Sequence, residues 1–174
     1  WSFRVAIKED KTIFGMKKFA LQRPLTRDYM NEWYLHKFAE YFGLPALRYD
    51  FVHLYVNGDN FGIYAIEEHF GKELIEHNAL REGLVIKFDD MLCWYKDHLL
   101  GCDEIYTNSP IETFSLGSIQ DDEVLMNQFN KARNLLEGFR RRELKTSQVF
   151  DIKEIAKLFA MGDLFGYSHF LAYG

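Results

Sequence analysis

Three observations predict an α+β chain in which an antiparallel sheet carries a packed helix and the start of a helical lobe follows. Alternating strand patterns occupy residues 2–8 and 12–22, an Asn57-Gly58 turn joins two further strands, and an apolar stripe of helical spacing appears beyond residue 120. The organisation read from this is a sheet-and-helix region over 1–88, an irregular insert over 89–120, and a helical region over 121–174.

In chain order, the strand patterns at 2–8 and 12–22 flank Glu9-Asp10-Lys11, a tight connection. Pro24 closes the second strand, since a proline cannot donate to a sheet ladder. Thr26 and Asp28 offer side-chain oxygens for a helix start, and Gly43 with Pro45 ends that helix near Phe42. Strands over 49–56 and 61–67 form a hairpin through Asn57-Gly58, because both residues tolerate the positive φ that a two-residue turn needs. A short helix over 70–78 and a strand over 83–88 follow. Between 89 and 120 the periodicity dissolves. It returns at 121–143, where Leu125, Phe129, Ala132, Leu136 and Phe139 recur every three or four residues. A second helix is expected from Asp151, with Glu154 at the capping-box position, to an end near Gly162. Both termini fall inside apolar pattern, so the chain reads as a piece of a longer one.

Composition narrows the function classes. Apolar residues make up 48% and aromatics 17% of the chain, enough to build a core and to exclude a disordered chain. A net charge of −5 lacks the positive field of a duplex-DNA binder, so nucleic acid is not an expected partner. No apolar run reaches membrane-spanning length. Cys93 and Cys102 are too few for a disulfide scaffold, although they are free to pair with each other in an oxidising compartment. No CxxC, HExxH or EF-hand pattern is present.

The candidate chemistry lies in separated polar residues. On the strand pattern, Lys17 shares a face with Ile13, Gly15, Phe19 and Leu21, while Lys18 lies opposite with Phe14, Met16 and Ala20. A lysine held on a sheet face suits phosphate; the alternative is a side chain snorkelling from an edge strand, and pattern alone leaves both open. Glu32 falls on a helix stripe with Leu35, Ala39 and Phe42, where it can pair with a strand lysine or simply favour the helix dipole. Glu67 and Glu68 close an apolar strand, beside His69, and adjacent carboxylates there commonly face solvent. Asp163 is expected just past the second helix, where a carboxylate can orient an attacking hydroxyl or serve as an ordinary hydrogen-bonding group. Arg140, Arg141 and Arg142 read as a solvated helix end complementing the dipole. The order lysine pair, helix glutamate, hairpin and carboxylate pair suits a lobe that grips a nucleoside triphosphate by its phosphates. GxGxxG, Walker, HRD and GxSxG patterns are missing, and Asp163-Leu164-Phe165-Gly166 departs by one residue from the kinase Asp-Phe-Gly spacing.

The segments SFRVAIKEDKTIFGMKKFALQ, TRDYMNEW and RYDFVHLYVNGDNFGIYAIEEHF, and more weakly GDLFGYSHFLAYG, resemble the CotH family of spore-coat-type atypical protein kinases. The resemblance implies an atypical kinase fold, residues 1–88 being its nucleotide-binding N-lobe and 121–174 the start of its C-lobe. It implies transfer of the γ-phosphoryl group of ATP to Ser/Thr hydroxyls of protein substrates, with Mg or Mn. Carried over, Lys17, with Lys18 second, is the phosphate-binding lysine, and Glu32 is its helix partner. Glu68 is the acidic residue closing the hairpin near the nucleotide, and Asp163 is the catalytic aspartate. The family's metal-binding aspartate and the asparagine after the catalytic aspartate have no counterpart here, so the metal ligands are unassigned. Placement at the cell surface, in the secreted fraction or in a spore coat is implied by resemblance alone. Two other functions stay open: a catalytically silent surface, coat or adhesion protein that binds partners, and a nucleotide-binding domain that transfers the nucleotidyl group.

Overall fold

The computed structural model describes residues 2–81, 83–89, 107–114 and 116–165. The fold is α+β, as predicted. The described chain divides into two compact units, residues 1–82 with 163–165 and residues 83–162. Cys93, Cys102 and the apolar run 168–174 lie outside the described residues.

The first unit is built on four antiparallel strands, β1 (Phe3–Ala6), β2 (Lys18–Gln22), β3 (Tyr49–Val56) and β4 (Asp59–Glu68), ordered β1-β2-β4-β3. Asn57 and Gly58 take φ values of 53° and 90°, which makes the β3–β4 connection the two-residue turn that this dipeptide favours. A second tight turn interrupts the strand pattern near its start. Ile13 and Met16 exchange backbone hydrogen bonds of 3.1 and 2.9 Å around Phe14 and Gly15, whose φ values are 51° and 77°. The expected strand over 12–22 is therefore two pieces, and β2 begins only at Lys18. A Cβ at Gly15 would also stand 2.3 Å from an Arg48 guanidinium nitrogen, so that side chain would have to shift.

Register assigns the two faces. Phe19 lies across from Val5 and Glu68, and Leu21 across from Phe3 and Ile66. With Met16 and Tyr64 they form the apolar core of this face. On the opposite face Ala20 lies between Arg4 and Glu67, with Lys18 and Gln22 two residues to either side.

That second face carries the helix. Pro24–Arg27 form a 3₁₀ turn, Asp28 and Tyr29 take positive φ, and α1 runs over Asn31–Tyr41. Thr26 does not cap it; its hydroxyl donates to the Arg23 carbonyl at 2.7 Å. Gly43, at φ 70°, ends the helix as expected. Glu32, Leu35 and Ala39 form its buried stripe, but Phe42 is exposed. The short α2 (Lys72–His77) is tied back by Asn78, whose side-chain amide binds both the N–H and the C=O of Ala46, at 2.9 and 3.0 Å.

In the second unit β5 (Ile86–Phe88) pairs antiparallel with β6 (Ile111–Thr113), so residues 86–88 join residues from the stretch read as irregular. Helices α3 (Leu116–Ile119), α4 (Glu123–Arg140), α5 (Thr146–Val149) and α6 (Ile152–Phe165) follow. Asp122 caps α4, accepting from the N–H groups of Val124 and Leu125, each at 3.0 Å. The basic run after α4 is not wholly solvated. The Arg140 side chain is largely covered, donates to the Ser109 and Thr107 carbonyls at 2.6 and 3.3 Å, and lies over the Phe88 ring at 5.2 Å. None of the described helices is long and apolar enough to cross a membrane.

Candidate functional site

Local geometry separates the two lysines. Lys17 precedes β2, and its Nζ lies 3.4 Å from a carboxylate oxygen of the fully exposed Asp10. It borders an open cleft of about 470 Å³ with Arg48, Lys72, Glu73, Glu76 and His77. Residue 17 lies just outside β2, although its carbonyl accepts from the Ile7 N–H at 2.8 Å, and the turn at Phe14-Gly15 interrupts the predicted alternation ahead of it. Lys18, at the first position of β2, is exposed and stands on the sheet face that also bears Gln22 and Glu67. The backbone N–H of His69 donates to the Lys18 carbonyl at 3.0 Å, which places His69 across from it. Burial, then the Lys18 and Arg4 charges, holds the His69 imidazole below its ordinary pKa. Arg4 and Lys18 thus place two cations near the His69 imidazole on this face.

Glu32 does reach the sheet, but through a residue that sequence reasoning missed. Arg27, at the end of the 3₁₀ turn, places Nε 3.2 Å from a Glu32 carboxylate oxygen and 3.2 Å from the Gln22 side-chain oxygen that accepts from it. The same guanidinium lies 3.7 Å from Glu67, whose carboxylate also accepts a hydrogen bond from the Gln22 amide. Glu32 and Glu67 are both largely buried, at 10% and 14% side-chain exposure. Burial raises the Glu67 pKa above its usual value, while Arg27 and the Gln22 hydrogen bond oppose that rise. Only the run Thr26-Arg27-Asp28 ahead of the helix could have marked Arg27 in advance, and it reads as a capping signal.

Glu68, one residue on, points to the other face and is buried at 1% side-chain exposure. Arg48 holds it with three donors: the backbone N–H at 3.1 Å, Nε at 3.0 Å, and a short contact from the second guanidinium nitrogen. Asp163 lies within the last turn of α6 and is exposed, rather than following the helix. Gly162, expected to stop that helix, is instead a buried helical residue. The structure thus joins Glu32 to Glu67, Gln22 and Arg27 on the Lys18 face, and Glu68 to Arg48 on the other. It does not join Lys17 to Glu32. Among the described residues no three His, Cys, Asp or Glu side chains gather as a metal site.

A family model for the CotH kinase protein matches residues 1–168. The chain belongs to the CotH kinase family. No curated protein and no solved structure gives a significant match. Membership in the CotH family makes the chain kinase-like and implies nucleotide and divalent metal use in general. Arg4 and Lys18 are exposed cations, the charge that the phosphates of such a nucleotide would need. The described residues do not form a matching set for the metal.

One further group should give the stability of the CotH chain a pH dependence. His36 on α1 stacks on Tyr49 at 5.5 Å, and its buried Nε2 has no hydrogen-bond partner among the described residues. Burial lowers its pKa from 6.5 to about 4, with Lys37 and Arg27 adding to the fall and Glu40 opposing it. Between those values the unfolded chain takes up a proton that the folded chain refuses, so stability is full above pH 6.5 and is lost toward pH 4. The loss expected from this residue is on the order of 3 kcal/mol. Urea unfolding across that window should show it, and His36→Phe should flatten the dependence. Glu67, whose pKa is raised, acts in the opposite direction.

Proposed function

We propose that this chain is the nucleotide-gripping part of an ATP-dependent protein kinase that transfers the γ-phosphoryl group to Ser/Thr hydroxyls of protein substrates. One observation carries the reading: Lys18 shares a sheet face with Gln22 and Glu67, to which Arg27 ties the helix glutamate Glu32. Lys18, rather than Lys17, is the lysine that meets phosphate, because its strand position turns it toward the α1 side. Arg4 and His69 stand beside it and add positive potential when His69 is protonated. Glu68 supports the site from behind by fixing the end of β4 through Arg48. Asp163 keeps the role that family resemblance gives it, orienting the acceptor hydroxyl. ATP, when bound, supplies the phosphoryl group, and the chain supplies charge neutralisation and positioning.

Incubation with γ-labelled ATP and a Ser/Thr-rich acceptor protein should transfer label. Asp163→Asn should lower the rate by on the order of 100-fold, as loss of a positioning group commonly does. Transfer of label from the α-phosphate would instead identify nucleotidyl transfer. Absence of both nucleotide binding and transfer would remove the kinase reading.

A further inference from the structure

Glu67 stands across β2 from Ala20, so Lys18 and Gln22 are its two diagonal neighbours on the same face. Diagonal positions lie about 7–8 Å apart, within reach of long side chains, and the Glu67 carboxylate has two competing partners. The structure shows which wins: Glu67 binds the Gln22 amide and lies 3.7 Å from Arg27, on the side away from Lys18. Glu32, the other carboxylate on this face, is held 3.2 Å from the same guanidinium. One fork-shaped cation thus collects both acids, from α1 and from β4. A lysine at residue 27 could not do the same, since an ammonium has no rigid fork.

We propose that Arg27 is a positioning residue that keeps the Lys18 ammonium available to an incoming phosphate by holding Glu32 and Glu67 away from it. Without Arg27, Glu67 turns to its other diagonal neighbour and captures Lys18 in an internal ion pair. The consequence for ATP rests on the proposed function; the consequence for Lys18 itself does not.

The direct test is the rate at which Lys18 is acetylated by a water-soluble active ester, read by mass spectrometry after proteolysis. Only the free amine reacts, and a carboxylate within about 4–6 Å raises an ammonium pKa by about one unit or more. Lys18 is exposed and solvent screens the pair, so Arg27→Gln should slow Lys18 acetylation by about two- to fourfold. Adding Glu67→Gln to that variant should restore most of the rate, and Arg27→Lys should fall between. Glu67→Gln alone, which keeps Arg27 and its hold on Glu32, should leave the rate unchanged. In the ATP reaction Arg27→Gln should raise KM by about two- to fourfold and change kcat less, because the phosphate must displace Glu67 from Lys18. A wild-type acetylation rate in Arg27→Gln, no recovery in the double variant, or faster acetylation in Glu67→Gln alone would each overturn the proposal. If acetylation follows the expected pattern while ATP fails to bind the unaltered chain, only the kinase reading falls.

Discussion

Arg48→Ala should destabilise the chain by about 3–5 kcal/mol, the usual cost of removing one partner from a buried ion pair. Glu68 would be left with 1% side-chain exposure and without the guanidinium that now supplies two of its hydrogen bonds. Of the residue 48 donors to its carboxylate, the backbone N–H at 3.1 Å would remain. Against a total stability of about 5–15 kcal/mol for a domain, that loss is a large share of the margin. Chemical denaturation read by far-UV circular dichroism measures it. A double variant, Arg48→Met with Glu68→Leu, should recover most of the stability, because paired apolar replacements avoid an orphaned charge. If Arg48→Ala costs less than about 1 kcal/mol, the pair behaves as a surface bridge and its burial has no energetic consequence.

This pair also shows where sequence reading stops. Glu67-Glu68 at the end of an apolar strand was legible as a carboxylate pair, and register placed the two on opposite faces because strand side chains alternate. Their partners were not legible. Arg48 lies 20 residues from Glu68, and Arg27 lies 40 from Glu67. No local period links positions so far apart; only the strand pairing brings them together. The β3–β4 hairpin was readable because Asn-Gly carries its own turn geometry. The turn at Phe14-Gly15 was hidden because Phe14, a bulky residue, occupies a positive-φ position that sequence rules reserve for Gly, Asn or Asp. That one turn shortened the strand, leaving Lys17 just outside it and Lys18 at its first position. Likewise Gly162 reads as a helix stop, yet close packing tolerates a glycine inside α6, and Asp163 stays within the helix.

The phase of that turn leads to the second large effect. Lys18→Ala should reduce phosphoryl transfer by on the order of 100-fold or more, since a cation opposite developing phosphate charge is commonly worth that much. Lys17→Ala should change the rate by no more than about twofold, because a lysine whose partner is a fully exposed aspartate contributes little through that pair. The two residues adjoin in sequence and have the same charge, so neither net charge nor general electrostatic steering can separate the variants. Their surroundings separate them: Lys18 lies on the face with Gln22 and Glu67, and Lys17 borders the cleft with Arg48 and Lys72. Lys18→Arg distinguishes charge from shape. Retained nucleotide affinity with slowed turnover would indicate that a point charge is needed at the transferring phosphate, as the compact ammonium provides. Should Lys17→Ala prove the more damaging substitution, the phosphate lies on the Arg48 side of the sheet, and the assignment of the α1 face as the nucleotide site is wrong.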